Sequence, residues 1–215
     1  MPSVIELIET NIKRPLLEAD QLLIANWRYH LSYYENFLTK YLVLVPEKEG
    51  LDLLKSLFNG AADPRTSQAV KKYLASYFSE IIESRPETWL RNSIQTTLLK
   101  DFAQSNSSQV RLVFVFFLET LVPRISSTLL KQTYLEAYFN LAKDSVTSIV
   151  LAYLSLMPEV RLRLHDQKTI DELTQTLQAL ALKFKDRREI MTHIEEVKAQ
   201  LNDAAFYEKI TAFHQ

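Results

Sequence analysis

Five stretches of this chain open alike: "ANWRYHL", "ADPRTSQ", "SSQVRLV", "KDSVTSI" and "KDRREIM", about 36 to 46 residues apart. Each has a small or acidic capping residue, then an apolar or proline position, then usually an arginine. Between openings the apolar residues follow helical spacing in two segments per interval. In "WRYHLSYYENFLTKYLVLV", for example, Leu31, Tyr34, Phe37, Leu38, Tyr41 and Leu42 form one stripe. A helix pair of roughly 40 residues cannot bury its apolar face alone, so neighbouring pairs must stack to build a core. The recurrence predicts one all-α domain over 1–215, with units at 26–62, 63–105, 106–143 and 144–184. Partial units at 1–25 and 185–215 complete it, "SVIELIETNI" as the second helix of a preceding unit and "DAAFYEKITAFH" as a cap.

Glycine usage agrees. Only Gly50 and Gly60 occur, whereas a β-sandwich or dinucleotide-binding domain needs more of them at turns and phosphate loops. Pro46 and Gly50 in "PEKEG" read as a turn before a short helix, "LDLLKSLFNGAA". Asp63 reads as a helix N-cap with Pro64 at the first helical position. Asp144 opens a helix expected to end at Pro158. The ambiguous stretch is "QVRLVFVFFLETLVPRI", whose centre, Leu112 to Leu118, is seven apolar residues in a row. Val and Phe favour strands, but the Ser-rich cap before it and its place at a repeat start predict a helix. Apolar on every side, that helix is expected to be buried on every side.

A net charge of −1 from 25 basic and 26 acidic residues gives no bulk attraction to nucleic acid or anionic membrane. No apolar run approaches the roughly 20 residues of a membrane-spanning helix. Glu6 and Glu9 interrupt any signal-peptide core, and cysteine is absent; together these predict a cytoplasmic protein. The histidines His30, His165, His193 and His214 share no metal-ligand spacing. Glu195 and Glu196 are adjacent on a helix and point about 100° apart, so they do not converge on a substrate. No Gly-rich phosphate loop, nucleophile elbow or Cys/His couple occurs. The expectation is a non-enzyme without cofactor or metal.

The expected chemistry is therefore binding. Arg28, Arg65, Arg111 and Arg187, at the repeat starts, are read as structural, each bonding carbonyls or an aspartate of the next repeat. The Tyr and Phe residues at helical spacing are read as packing between helices. More informative are the turns inside each pair, "VPEKEG", "SRPETW", "VPRISS" and "MPEVRLRLHDQK", each with a proline. In a stacked array such turns form one ridge where a partner meets several repeats at once. The candidate protein-binding residues are Trp89 as an anchor and Glu47, Arg85, Arg124, Arg161 and Arg163 as a mixed-charge rim. Packing of Trp89 on a neighbouring helix is the competing reading. Mixed charge suits a folded protein better than a phosphate backbone.

The openings "ANWRYHLSYYENF" and "QVRLVFVFFLETLVPRI" resemble first helices of HEAT repeats of the phosphatase-scaffold type. Farther on, Lys143, Asp144, Val146, Ile149, Leu156, Pro158, Lys185, Asp186 and Arg187 resemble the end of the array in the family of regulatory subunit 4 of protein phosphatase 4. Thr147 and Ser148 depart from that pattern where Asn-Val-Arg is common. The resemblance implies an armadillo-like α-solenoid of about five HEAT-like helix pairs in a right-handed superhelix. It implies a non-catalytic scaffold or regulatory subunit that binds a Ser/Thr protein phosphatase catalytic subunit and directs its location or substrates. The alternative is a HEAT-repeat adaptor in nuclear transport or vesicle trafficking.

Overall fold

A computed structural model of the chain describes residues 47–84 and 88–203. Among these residues every regular element is helical and no strand occurs. In chain order they are α1 (Glu47–Ala62), α2 (Gln68–Ser84) and α3 (Thr88–Thr97), the last continuing into a π turn, Leu98–Phe102. Next come α4 (Ser108–Leu121), a 3-10 turn (Val122–Arg124) and α5 (Ser127–Leu129). A second π turn, Leu130–Tyr134, joins α5 to α6 (Leu135–Leu141) as one rod. The remaining helices are α7 (Thr147–Arg163), α8 (Gln167–Lys183) and α9 (Arg188–Asn202).

Two interleaved series emerge. Helices α2, α4, α7 and α9 begin at residues 68, 108, 147 and 188, and α1, α3, α5 and α8 at 47, 88, 127 and 167. Every step in either series is 39 to 41 residues. The linkers repeat too. Asp63, Ser105 and Asp144 each accept, through a side-chain oxygen, the N–H two residues on, at 2.8, 3.2 and 2.8 Å. These small side-chain-to-backbone turns end the preceding helix and aim the chain into the next. Ser126 and Asp166, 40 residues apart, cap α5 and α8 by accepting from Leu129 and Thr169 N–H.

Three local expectations are corrected. Asp63 does not cap α2: Arg65 engages its carboxylate through both main chain and guanidinium. The helix starts five residues later, with Ser67 accepting from Val70 and Lys71 N–H. Gly50 lies inside α1 rather than in a turn. Nor does Pro158 end its helix, since α7 continues to Arg163. Proline removes its own N–H and crowds the carbonyl four residues back, but the buried Leu154, Leu156, Met157 and Val160 on both sides of it keep the helix packed.

Contacts divide the described residues into two compact units that part between Phe117 and Leu118, within α4. In the first, α1, α2 and α3 contact one another, with Phe58 stacked on Phe78 at 4.5 Å and tilted against Phe102 at 5.5 Å. The Ser79 hydroxyl of α2, fully buried, lies 3.1 Å from the Phe117 carbonyl of α4. In the second unit α7 packs on α6 and α9, and α8 on α9. Tyr138 and Tyr153 stack there at 4.5 Å, and the Tyr138 hydroxyl donates to the Tyr153 carbonyl at 3.3 Å. Burial pushes both phenols above the ordinary tyrosine range.

Leu112 through Leu118 of α4 are all buried, none more than 7 % exposed. The run is a helix enclosed on every side, as its sequence context predicts.

Candidate functional site

The second unit brings two intra-pair turns together, the segment Val122–Ser126 between α4 and α5 and the segment Leu164–Asp166 between α7 and α8. Three ties lace them. Arg163, at the end of α7 and only 9 % exposed, donates from Nη1 to the Ile125 carbonyl at 3.0 Å and from Nη2 to the Pro123 carbonyl. Its Nη2 also lies 3.4 Å from Glu159 Oε1, one turn back on the same helix. The Ser127 hydroxyl meets His165 Nε2 at 2.8 Å. Lys131 Nζ donates to Asp166 Oδ2 at 2.9 Å, while Asp166 Oδ1 accepts from Thr169 N–H and hydroxyl. The Lys131 ammonium, then the Thr169 donors, hold the Asp166 carboxyl well below the usual carboxylate range.

The separations in sequence are the telling part. Ser127–His165 and Arg163–Ile125 each span 38 residues, Arg163–Pro123 spans 40, and the Lys183 ammonium reaches the Asp144 carbonyl across 39. Side chains are thus bonding groups about one step of the helix series away. Arg163 performs the chemistry expected of the repeat-start arginines, but from the opposite end of its helix. Two of those arginines make bonds close by in the chain. Arg65 pairs with Asp63, and Arg111 donates to the Ser105 and Asn106 carbonyls of its own linker.

The candidate binding residues divide accordingly. Arg124 is exposed on the 3-10 turn, and Arg161 is half-buried, closing its own turn by donating to the Leu164 carbonyl at 3.4 Å. Arg163 sits beneath the ridge rather than on its rim, because its guanidinium is turned inward to the carbonyls. Glu47 is exposed at the start of α1, in the first unit. Trp89 is half-buried with its indole laid against Gly50 of α1; a Cβ at Gly50 would fall 2.5 Å from the ring. The tryptophan therefore packs on a neighbouring helix, and Gly50 supplies the space for it. Arg85 lies outside the described residues, as do the "ANWRYHL" opening, Arg28, His30 and His214.

One arrangement was missed in the sequence. Ser155 Oγ on α7 lies 2.8 Å from His193 Nε2 on α9, and His193 Nδ1 lies 3.0 Å from Glu196 Oε2. A hydroxyl, an imidazole and a carboxylate in this order form the skeleton of a nucleophilic triad. However, the Ser155 hydroxyl also stands 3.0 Å from the Leu151 carbonyl, and its single proton cannot serve both acceptors. Ser155 lies mid-helix, where the neighbouring main-chain N–H groups are engaged in the helix and cannot form an oxyanion hole. The separation of Ser155 from His193 is again 38 residues. The group is another tie between helices one step apart, α7 and α9.

Among the described residues no three His, Cys, Asp or Glu side chains gather as a metal ion would require, and no helix is long and apolar enough to cross a membrane. No known family model matches the chain, nor does any curated protein or solved structure.

Proposed function

We propose that the chain is a non-catalytic helical-repeat scaffold whose intra-pair turns dock a folded protein partner. On this reading the helix pairs are HEAT-like and build an armadillo-like solenoid. The observation that carries it is the 39-to-41-residue step of both helix series. Bonds from side chains to groups about one step away accompany that step in the second unit. Such stacking gives a rigid row of turns, and a rigid row costs little ordering entropy when a partner binds. The partner class rests on the resemblance of the Lys143–Arg187 segment to phosphatase scaffolds. A Ser/Thr protein phosphatase catalytic subunit is held on the ridge, and its location or substrates are set there.

Affinity capture of the full chain from lysate, read by mass spectrometry, tests this. Enrichment of Ser/Thr phosphatase catalytic subunits is the expected result. Their absence, with Ran-type GTPases or vesicle-coat proteins in their place, would sink the phosphatase reading in favour of a transport adaptor.

A further inference from the structure

The last turn of α1 carries the dipeptide Asn59–Gly60, with Asn59 exposed and Gly60 buried. An asparagine followed by glycine is the least hindered setting for attack of the next main-chain nitrogen on the side-chain amide, because glycine sets no Cβ against the approach. The step balances with water alone. The Gly60 nitrogen bonds Asn59 Cγ as the Cγ–Nδ2 bond breaks, and its proton leaves with the amide as ammonia. Water then opens the cyclic imide at either carbonyl, giving aspartate or isoaspartate.

The fold holds this reaction off. The imide ring closes only when the main chain at Asn59 leaves helical dihedrals, and inside α1 the Gly60 N–H belongs to the helix ladder. The turn is also tied beyond its own end. The Asn59 carbonyl accepts from the Asp63 N–H at 3.0 Å, and the Gly60 carbonyl accepts from the Thr66 hydroxyl at 2.7 Å. We propose that Asn59 is a site of spontaneous deamidation gated by opening of the last turn of α1, with the Thr66 hydroxyl as its latch. The aspartate product puts a negative charge at the carbonyl end of the helix dipole, where it is unfavourable. The isoaspartate product adds a methylene to the main chain and breaks the turn. The change is one-way, and it does not depend on which partner the chain binds.

Incubation of the full chain at mildly alkaline pH, with and without urea, tests it through peptide mapping by mass spectrometry. In urea Asn59 is expected to lose its amide faster than Asn140, which precedes the bulky Leu141. The folded chain is expected to lose it at least about tenfold more slowly than the unfolded one. Thr66→Val is expected to speed the loss from folded protein about two- to tenfold, the change in opening that one neutral hydrogen bond supports, while Thr66→Ser keeps the wild-type rate. Circular dichroism checks that both variants keep their helix content. Exchange of the Gly60 amide proton in the wild type gives an independent reading, an opening fraction expected to match the folded-to-unfolded rate ratio. Amide loss as fast from folded as from unfolded wild type, or no faster in Thr66→Val than in Thr66→Ser, overturns the proposal. So does an unfolded chain in which Asn59 reacts no faster than Asn140.

Discussion

Arg163 shows how one side chain holds two turns in place. A guanidinium donating to two carbonyls 38 and 40 residues earlier does what neither a neutral side chain nor a point charge can. Removing it leaves two carbonyls and Glu159 without their donor. Arg163→Met is therefore expected to cost about 3 kcal/mol in denaturant unfolding, and Arg163→Lys less, because one ammonium serves only part of the set. Lys71 of α2 is the opposite case. It is buried to 1 % exposure, its Nζ has no hydrogen-bonding partner, and desolvation lowers its pKa. Since the unfolded chain holds that proton more tightly, stability rises with pH as the folded lysine titrates, up to its ordinary pKa near 10.4. Lys71→Met is expected to stabilise the protein at pH 7 by about 1 kcal/mol or more and to flatten that alkaline rise, read from unfolding midpoints across pH. Neither role was legible beforehand. An arginine at a helix end and a lysine in "QAVKKYLASYF" look like ordinary surface residues until the fold encloses them.

Among the elements, α4 was the most legible and α1 and α7 the least. Seven consecutive apolar residues after a serine cap leave α4 little choice but full enclosure. Its side chains are correspondingly costly to truncate. Phe114→Ala, at a site 0 % exposed and 6.1 Å from the Phe117 ring, should cost about 3–5 kcal/mol. Leu182→Ala, on the exposed side of α8 at 78 %, should change stability by no more than about 0.5 kcal/mol. Thermal melts of the two variants check the contrast. The misread boundaries have one physical cause. Gly50 and Pro158 break helices by local propensity, but each is overruled by tertiary packing, Gly50 by the indole of Trp89 and Pro158 by the buried face of α7. Trp89, for which packing on a neighbouring helix was the competing reading, lies half-buried against Gly50, a glycine that reads as part of a turn in the bare sequence.

For the molecule as a whole, the period was readable and the stitching was not. Repeated side-chain-to-backbone turns at Asp63, Ser105 and Asp144 mark the linkers, and the small or acidic residues that make them stand out in the bare sequence. In contrast, Ser127–His165 and Ser155–His193 become pairs only when helices one step apart lie side by side. Those ties join elements one step apart within the second unit, the fixed spacing that the proposed scaffold reading requires. Titration calorimetry of the full chain with a purified Ser/Thr phosphatase catalytic subunit tests this account most directly. It predicts a saturable one-to-one complex that Arg163→Met weakens by loosening the ridge, while Leu182→Ala leaves it intact. No heat of binding to any such subunit at micromolar concentrations, from protein shown to be folded, would contradict it.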